Sequence, residues 1–195
     1  MVSMEHKIIC IMGGACSGKD TLREMMMERY EDKFVSATST TTRPMRVGEV
    51  EGKSYYFVDD AEFNGMLENG EFIETREYTV ASGDIWYYGY TEKEVTSKLR
   101  QNNILMIVDL EGFKSFKEIY GDKCIGIFLS VDRDIRIRRY LDRDDLTFGM
   151  VEEAVRRIKD DDERAFLGVE DEADYILAVE NTAEALHEVK ELLHL

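Results

Sequence analysis

A glycine-rich turn between a short apolar run and a helical pattern constrains this chain more than any other feature of its sequence. Residues 7–12 (KIICIM) form a mostly apolar run that predicts a buried parallel strand. Glycines follow at once, and Leu22, Met26 and Tyr30 then recur every four residues, which places them on one face of a helix. A buried strand, a glycine turn and a helix in this order predict the first unit of a parallel α/β sheet.

The remainder of the chain continues this alternation, with two interruptions. Apolar runs at residues 103–110, 124–131 and 174–179 predict three more buried strands, with helical stretches between them. Residues 36–94 are polar and rich in turn residues, and residues 133–165 are rich in arginine and aspartate. We therefore expect one α/β domain with a central parallel sheet flanked by helices. Its core would comprise about residues 1–35, 95–132 and 166–195, with an inserted arm at about 36–94 and a lid at about 133–165.

The charge balance excludes several kinds of partner. Acidic residues number 41 and basic residues 25, which gives a formal charge of −16. Binding to nucleic acid or to anionic membranes needs a basic surface, so we expect neither. No apolar run approaches the roughly 20 residues of a membrane helix. Cys10, Cys16 and Cys124 are scattered and form no disulfide or zinc pattern, which suits a reducing, cytoplasmic setting.

The glycine turn has the spacing of a phosphate-binding loop. Gly13, four residues, Gly18 and Lys19 follow the predicted strand and open the predicted helix. Glycines let several backbone N–H groups point at one phosphate, the helix N-terminus favours negative charge, and the lysine adds a point charge. The candidate ATP-binding residues are Gly13, Gly14, Ala15, Cys16, Ser17, Gly18, Lys19, Asp20 and Thr21.

Asp20 occupies the position at which such loops normally carry a hydroxyl that reaches Mg²⁺. A carboxylate is a hard oxygen ligand, so Asp20 could hold magnesium, or it could repel the phosphates of the nucleotide. Thr21 follows and could supply a hydroxyl instead. The sequence therefore predicts Asp20 and Thr21 as the candidate Mg²⁺ ligands, with ATP as the phosphoryl donor.

A second group of anion-binding residues lies in the arm. Arg43 and Arg46 stand three residues apart beside threonine hydroxyls, which suits a dianionic phosphate. They belong to residues 40–58 (TTTRPMRVGEVEGKSYYFV), which are followed by Phe72-Ile-Glu74, Tyr88-Gly89 and a predicted strand that ends near Asp109. Together with the phosphate loop and the arginine-rich lid, these motifs resemble guanylate kinase over nearly the whole chain, from residue 7 to residue 193.

The resemblance implies a role for individual residues. Ser39, Arg43, Arg46, Tyr55 and Tyr88 would bind the phosphate or ribose of the acceptor nucleotide. Glu74 would accept hydrogen bonds from the N1–H and N2 amino groups of guanine. Asp109 would serve the magnesium network or the acceptor base, and the alternative is a cap on nearby backbone N–H groups. Arg139, Arg143 and Arg157 would close over the transferring phosphoryl group. Lys19, Arg43, Asp109, Arg139, Arg143 and Arg157 would thus carry catalysis.

The implied reaction is reversible transfer of the γ-phosphoryl group of ATP to GMP or dGMP, giving ADP and GDP or dGDP. Two alternatives stay open. Tyr90 stands where the family has Ser or Thr, and residues 79–86 hold extra residues near the base pocket, so another nucleotide could be the acceptor. A non-catalytic binding module of the same fold is the second alternative, and the retained Lys19 and lid arginines argue against it. The sequence gives no indication of the oligomeric state.

Overall fold

A parallel five-stranded sheet, the core sheet, organises the computed structural model, which describes residues 6–79, 83–142 and 148–195. Its strands lie in the order β2-β7-β1-β8-β9, and every neighbouring pair is parallel. These strands are β1 (Ile8–Met12), β2 (Phe34–Val35), β7 (Asn103–Ile107), β8 (Cys124–Ser130) and β9 (Tyr175–Ala178). The predicted α/β fold with a central parallel sheet is confirmed.

Helices cover both faces of this sheet. They are α1 (Lys19–Arg29), α3 (Glu92–Leu99), α4 (Leu110–Tyr120), α7 (Val169–Glu172) and α8 (Thr182–Leu193). All five residues of β1 are buried, as a strand sandwiched between helix layers requires. One face packs Cys10 and Met12 against α3 and α4, and the other packs Ile9 and Ile11 against α1 and α8.

A second sheet, the arm sheet, has the order β4-β3-β6-β5. It contains β3 (Thr40–Thr41), β4 (Tyr56–Phe57), β5 (Phe72–Thr79) and β6 (Ile85–Thr91), with α2 (Asp60–Glu68) before β5. The antiparallel register of β5 and β6 pairs Glu74 with Tyr90, Arg76 with Tyr88 and Tyr78 with Trp86. The sequence of residues 81–86 predicts a turn, and this prediction is wrong at Ile85 and Trp86, because the ladder extends to them. Residues 80–82 lie outside the described residues.

The boundary between β7 and α4 differs from the sequence prediction. The apolar run at residues 103–110 predicted a strand through Leu110, but β7 ends at Ile107. Asp109 caps α4, since its Oδ1 accepts a hydrogen bond from the Gly112 N–H at 2.8 Å. Side chains of this type at a helix N-terminus satisfy N–H groups that lack a partner. The sequence predicts a helix over residues 112–120, and α4 begins two residues earlier, at Leu110.

The lid region contains α5 (Arg133–Leu141) and α6 (Phe148–Asp160), which continues into a π-helical turn at Asp161–Ala165. Residues 143–147 lie outside the described residues, so the predicted site residue Arg143 does as well. In the part of the chain that the structure describes, we find no helix that is both long enough and apolar enough to cross a bilayer.

Candidate functional site

The phosphate loop, residues 13–19, lies at the carboxyl end of β1, where ligands of parallel sheets bind. The Ser17 N–H donates to the Gly14 carbonyl at 3.1 Å, and the Leu22 N–H donates to the Gly18 carbonyl at 2.8 Å. Gly18 has a φ of +91°, a left-handed conformation that glycine adopts without steric cost. The loop therefore turns directly into α1 and leaves the first N–H groups of that helix for an anion.

Lys19 begins α1 and its ammonium is 3.7 Å from the Asp20 carboxylate. The Lys19 side chain is 21% exposed and that of Asp20 is 77% exposed. Thr21 is also exposed. The described residues contain no group of three or more histidines, cysteines and carboxylates that could hold a metal by itself. Asp20 and Thr21 do offer oxygen donors beside the loop, which fits a magnesium ion that takes its other ligands from phosphates and water.

Arg139 approaches the phosphate loop from the lid. Its Nη1 donates to the carbonyl oxygens of Cys16 and Ser17 at 2.9 and 2.8 Å. Its Nη2 donates to the Glu180 carbonyl at 2.7 Å. In this structure the guanidinium therefore positions the backbone of the loop. The predicted contact of Arg139 with a transferring phosphoryl group stays a prediction, as does that of Arg157, which is exposed on α6.

A second contact between lid and loop involves residues that the sequence analysis missed. The Ala15 N–H donates to Oδ2 of Asp161 at 2.5 Å. Arg136, which is buried, pairs with Asp162 and lies 3.8 Å from Asp161. Burial raises the pKa of Asp161, and the hydrogen bond from Ala15 opposes that shift. Arg136 and Asp161 belong to a run of alternating charges whose spacing does not distinguish them from solvated neighbours.

Gly14, the second glycine of the loop, lies against a side chain of the lid. A Cβ placed on Gly14 would collide with the guanidinium of Arg136. The Arg136 guanidinium therefore lies directly against the backbone of the loop, and a side chain at position 14 would displace it.

Arg43 lies at the centre of the phosphate-binding part of the arm. It is 4% exposed, and its Nη1 and Nη2 donate to the two oxygens of Glu49 at 3.1 and 2.6 Å. This pairing raises the pKa of Arg43 and lowers the pKa of Glu49. The Arg43 guanidinium also lies over the Tyr55 ring, 5.1 Å from its centroid, and the Tyr55 and Tyr88 rings meet edge to face at 5.9 Å.

The other two arm residues differ in exposure. Ser39 is buried, and its carbonyl accepts a hydrogen bond from the Tyr56 N–H at 3.0 Å. Arg46 is exposed, and its backbone N–H donates to Glu49 at 2.7 Å. The structure thus brings Arg43 onto Tyr55 and Tyr55 onto Tyr88, whereas Arg46 is exposed.

Glu74 and Asp109 meet at the junction of the arm sheet and the core sheet. The Glu74 residue is 6% exposed, and its Oε2 lies 3.2 Å from Arg76 Nε. Asp109 Oδ2 lies 4.0 Å from the same nitrogen. Gly112 leaves room for both carboxylates, since a Cβ there would be 3.1 Å from Asp109 and 3.4 Å from Glu74. The capping alternative for Asp109 is therefore confirmed, while its second oxygen faces the Glu74 cluster.

Burial raises the pKa of Glu74 from 4.5 to about 7; Arg76 lowers it, and Asp109 raises it further. Neither carboxylate oxygen of Glu74 has a hydrogen-bond partner among the described residues. Arg76 is the residue of this cluster that the sequence analysis missed. Its signal was the period of two along a strand, because residues 74, 76 and 78 of β5 share one face.

The two halves of the site meet at one edge of the core sheet. β7 pairs with β1 in parallel, so Asp109 after β7 and the phosphate loop after β1 lie at the carboxyl ends of neighbouring strands. Ligands of parallel α/β sheets bind outside these carboxyl ends, so an anion on the loop and a second ligand near Glu74 would lie on the same side of the sheet.

Comparison with known proteins agrees with this geometry. A family model described as guanylate kinase matches residues 5–194. A guanylate kinase from Helicobacter hepaticus is 35% identical over 143 residues, which cover 71% of this chain and 68% of that protein. One from Synechococcus sp. is 31% identical over 195 residues, covering 96% of this chain and 82% of that protein.

A solved structure shares the fold. The crystal structure of guanylate kinase from Anaplasma phagocytophilum superposes with a TM-score of 0.65 at 24% identity, covering 97% of this chain and 85% of that chain. The match to the family model over nearly every residue, together with these relatives, establishes that the chain belongs to the guanylate kinase family.

Proposed function

We propose that the protein transfers the γ-phosphoryl group of ATP to GMP or dGMP, giving ADP and GDP or dGDP. The observation that carries the proposal is that the phosphate loop and the buried carboxylate of Glu74 both lie on the side of the carboxyl ends of the core-sheet strands. Guanine presents two donors, N1–H and the N2 amino group, and Glu74 offers two acceptors without partners among the described residues.

On the donor side, Lys19 and the free N–H groups at the start of α1 would bind the phosphates of ATP. Asp20 and Thr21 would hold Mg²⁺, which supplies positive charge to the β- and γ-phosphates when bound. Residues 13–18 would donate hydrogen bonds from their backbone N–H groups, and the glycines among them would let the phosphates come close to the backbone. Because the bound phosphates are charged, this part of the site would act by electrostatic stabilisation and positioning.

On the acceptor side, Ser39, Arg43, Arg46, Tyr55 and Tyr88 would bind the phosphate and ribose of the nucleotide. Arg43 would share its guanidinium between Glu49 and the acceptor phosphate, since Glu49 already accepts from two of its nitrogens. The aromatic contacts around Arg43 would hold the guanidinium in place.

The arm at about 36–94 and the lid at about 133–165 would close on the two nucleotides and exclude water. Arg139, Arg143 and Arg157 would then approach the transferring group. We also expect the enzyme in the cytoplasm, because its three cysteines are free thiols.

The test is ADP release from Mg·ATP by the purified protein with GMP, dGMP, AMP, CMP, UMP and dTMP as acceptors. We expect turnover with GMP and dGMP alone. Turnover with a different monophosphate would keep the phosphoryl transfer and overturn the assignment of the base. ATP binding without turnover of any acceptor would overturn the proposed activity.

A matched pair of variants tests the loop. Lys19→Met should lower kcat/KM by roughly 100-fold or more, because it removes a positive charge from the phosphates. Lys93→Met changes an exposed lysine on α3, outside the site, and should leave kcat/KM unchanged. Equal rates for the two variants would contradict the role of the loop.

A further inference from the structure

Arg76 lies between the two carboxylates of the acceptor site, yet no motif of the sequence assigns it a role. Its Nε is 3.2 Å from Glu74 Oε2 and 4.0 Å from Asp109 Oδ2. The side chain is 18% exposed, so most of it is withdrawn from water, and its Nε is buried. A largely buried cation beside a buried carboxylate is expensive to keep unless both groups have partners.

The hydrogen-bonding capacity of this cluster is not filled within the described residues. Both oxygens of Glu74 and the Nε of Arg76 are buried without a hydrogen-bond partner there. The two side chains are close enough for an ion pair, but the Nε–H does not meet hydrogen-bond geometry with the carboxylate. Since buried polar atoms almost always have partners, these atoms indicate a ligand.

The cluster matches one kind of base edge. Two acceptors beside a donor complement an edge that has two donors beside an acceptor. Guanine has that order in its N2 amino group, N1–H and O6, whereas adenine places an acceptor at N1 and no polar group at C2. A guanine whose two donors faced Glu74 would therefore present O6 to a neighbouring donor.

Two hydroxyl-bearing residues, Tyr90 and Thr91, follow Tyr88-Gly89 on β6. Tyr90 pairs with Glu74 across the strands, but its ring is buried in the core, 6.0 Å from Phe116. The Thr91 hydroxyl caps α3 by accepting from the Glu94 N–H at 3.3 Å. Arg76 is the cationic donor beside Glu74 on the same strand face.

We propose that Arg76 is a specificity-determining residue that donates a hydrogen bond to O6 of guanine while Glu74 accepts from N1–H and the N2 amino group. The inference rests on the proposed GMP kinase activity and adds the residue that recognises the third polar group of the base. A second effect follows from its charge. Arg76 opposes the rise in the pKa of Glu74 and so favours the ionised, accepting form.

The experiment compares kcat/KM for GMP, 6-thio-GMP and IMP in the wild type, Arg76→Met and Arg76→Lys. 6-Thio-GMP replaces O6 by a weaker acceptor and keeps both donors, whereas IMP keeps O6 and lacks the N2 amino group. Arg76→Met should lower kcat/KM for GMP by roughly 10- to 100-fold, the worth of a hydrogen bond to a charged group. Its preference for GMP over 6-thio-GMP should vanish, and its preference for GMP over IMP should remain.

Two further variants control for structure. Arg76→Lys keeps a cationic donor and should recover part of the preference for GMP over 6-thio-GMP. Glu77→Gln lies on the opposite face of β5, is exposed, and should behave as the wild type with all three nucleotides. Thermal unfolding of each variant reports whether the arm sheet has folded.

Two outcomes would overturn the role of Arg76. One is an equal loss with GMP and 6-thio-GMP in Arg76→Met. The other is a loss with GMP in Arg76→Met that disappears as the pH is raised above about 7 while GMP keeps its N1–H, because Arg76 would then act only by keeping Glu74 ionised. A wild type that fails to phosphorylate GMP would instead overturn the proposed function itself, before any variant is compared.

Discussion

At the scale of single residues, the burial of Glu74 makes stability depend on pH. Its pKa of about 7 in the folded protein exceeds the value of 4.5 expected in the unfolded chain. The folded state therefore binds more protons than the unfolded state between these pH values. Stability from this group is present below about pH 4.5 and is lost as the pH rises through about 7.

We expect Glu74→Gln to remove this dependence. The free energy of unfolding of the ligand-free wild type, relative to Glu74→Gln, should fall by roughly 3 kcal/mol between about pH 4.5 and about pH 7.5. Urea unfolding at several pH values measures the difference. Glu77→Gln is an exposed change on the same strand, and its difference from the wild type in free energy of unfolding should not follow this trend with pH. If the difference between the wild type and Glu74→Gln stays constant with pH, the pKa of Glu74 is not raised.

Some residues of the site could be predicted from the sequence and others could not. The positions of Glu74 and Asp109 followed from the motifs, because each stands at a fixed place in the resemblance. Arg76 did not, since the motif skips its position and its partner Asp109 is 33 residues away along the chain. Asp109 further shows that one carboxylate can cap a helix with one oxygen and face a site with the other.

At the scale of elements, the contact between lid and loop determines what the phosphates of ATP would meet. The π-helical turn after α6 brings Asp161 to the Ala15 N–H, and Arg136 on α5 lies against Gly14. The carboxylate of Asp161 thus accepts a hydrogen bond from an N–H group of the phosphate loop that could otherwise bind a phosphate. An incoming phosphate carries the same sign of charge, so the two compete.

We expect Asp161→Asn to tighten ATP binding. The amide removes a negative charge beside the loop, and the dissociation constant of ATP should fall roughly 3- to 10-fold. Calorimetric titration with ATP measures it. Asp160→Asn, which alters a carboxylate paired with Arg164 away from the loop, should bind ATP as the wild type does. Weaker binding by Asp161→Asn would show that the carboxylate supports the loop and does not compete.

The lengths of the elements explain which of them the sequence could predict. The strands of four to seven residues in the core sheet leave continuous apolar runs. The acidic stretch at residues 60–68 predicts a helix, and α2 has these bounds. The two-residue strands β2 and β3 are too short to show a period, whereas β4 lies within residues 55–58, which the sequence predicts as a short strand. They form through pairing with distant segments, as β2 does with Asn103 and Ile104 of β7.

At the scale of the whole molecule, the two sheets divide the work of the proposed reaction. The core sheet carries the phosphate loop, and the arm sheet carries Glu74 and the aromatic cluster around Arg43. Alternation of strands and helices was enough to predict the first sheet. In the second sheet, residues 55–58 and 71–78 could be predicted as short strands, and they correspond to β4 and β5. The register of that sheet could not be predicted, because it depends on pairing between strands and on close approach at Gly89, where a Cβ would lie 2.8 Å from the Glu74 carbonyl.

The pairing of Tyr78 with Trp86 in the arm sheet gives the protein an optical property. Trp86 is the single tryptophan of the chain, and the ring of its partner Tyr78 lies 5.5 Å from that of Tyr88. GMP bound beside Tyr88 should therefore produce a saturable change in tryptophan fluorescence, whereas ATP alone at the core sheet should not. Trp86→Phe should abolish the fluorescence change. An equal change with ATP alone would contradict the assignment of GMP to the arm sheet and ATP to the core sheet. The acceptor arm thus contains its own spectroscopic reporter, which requires no attached dye.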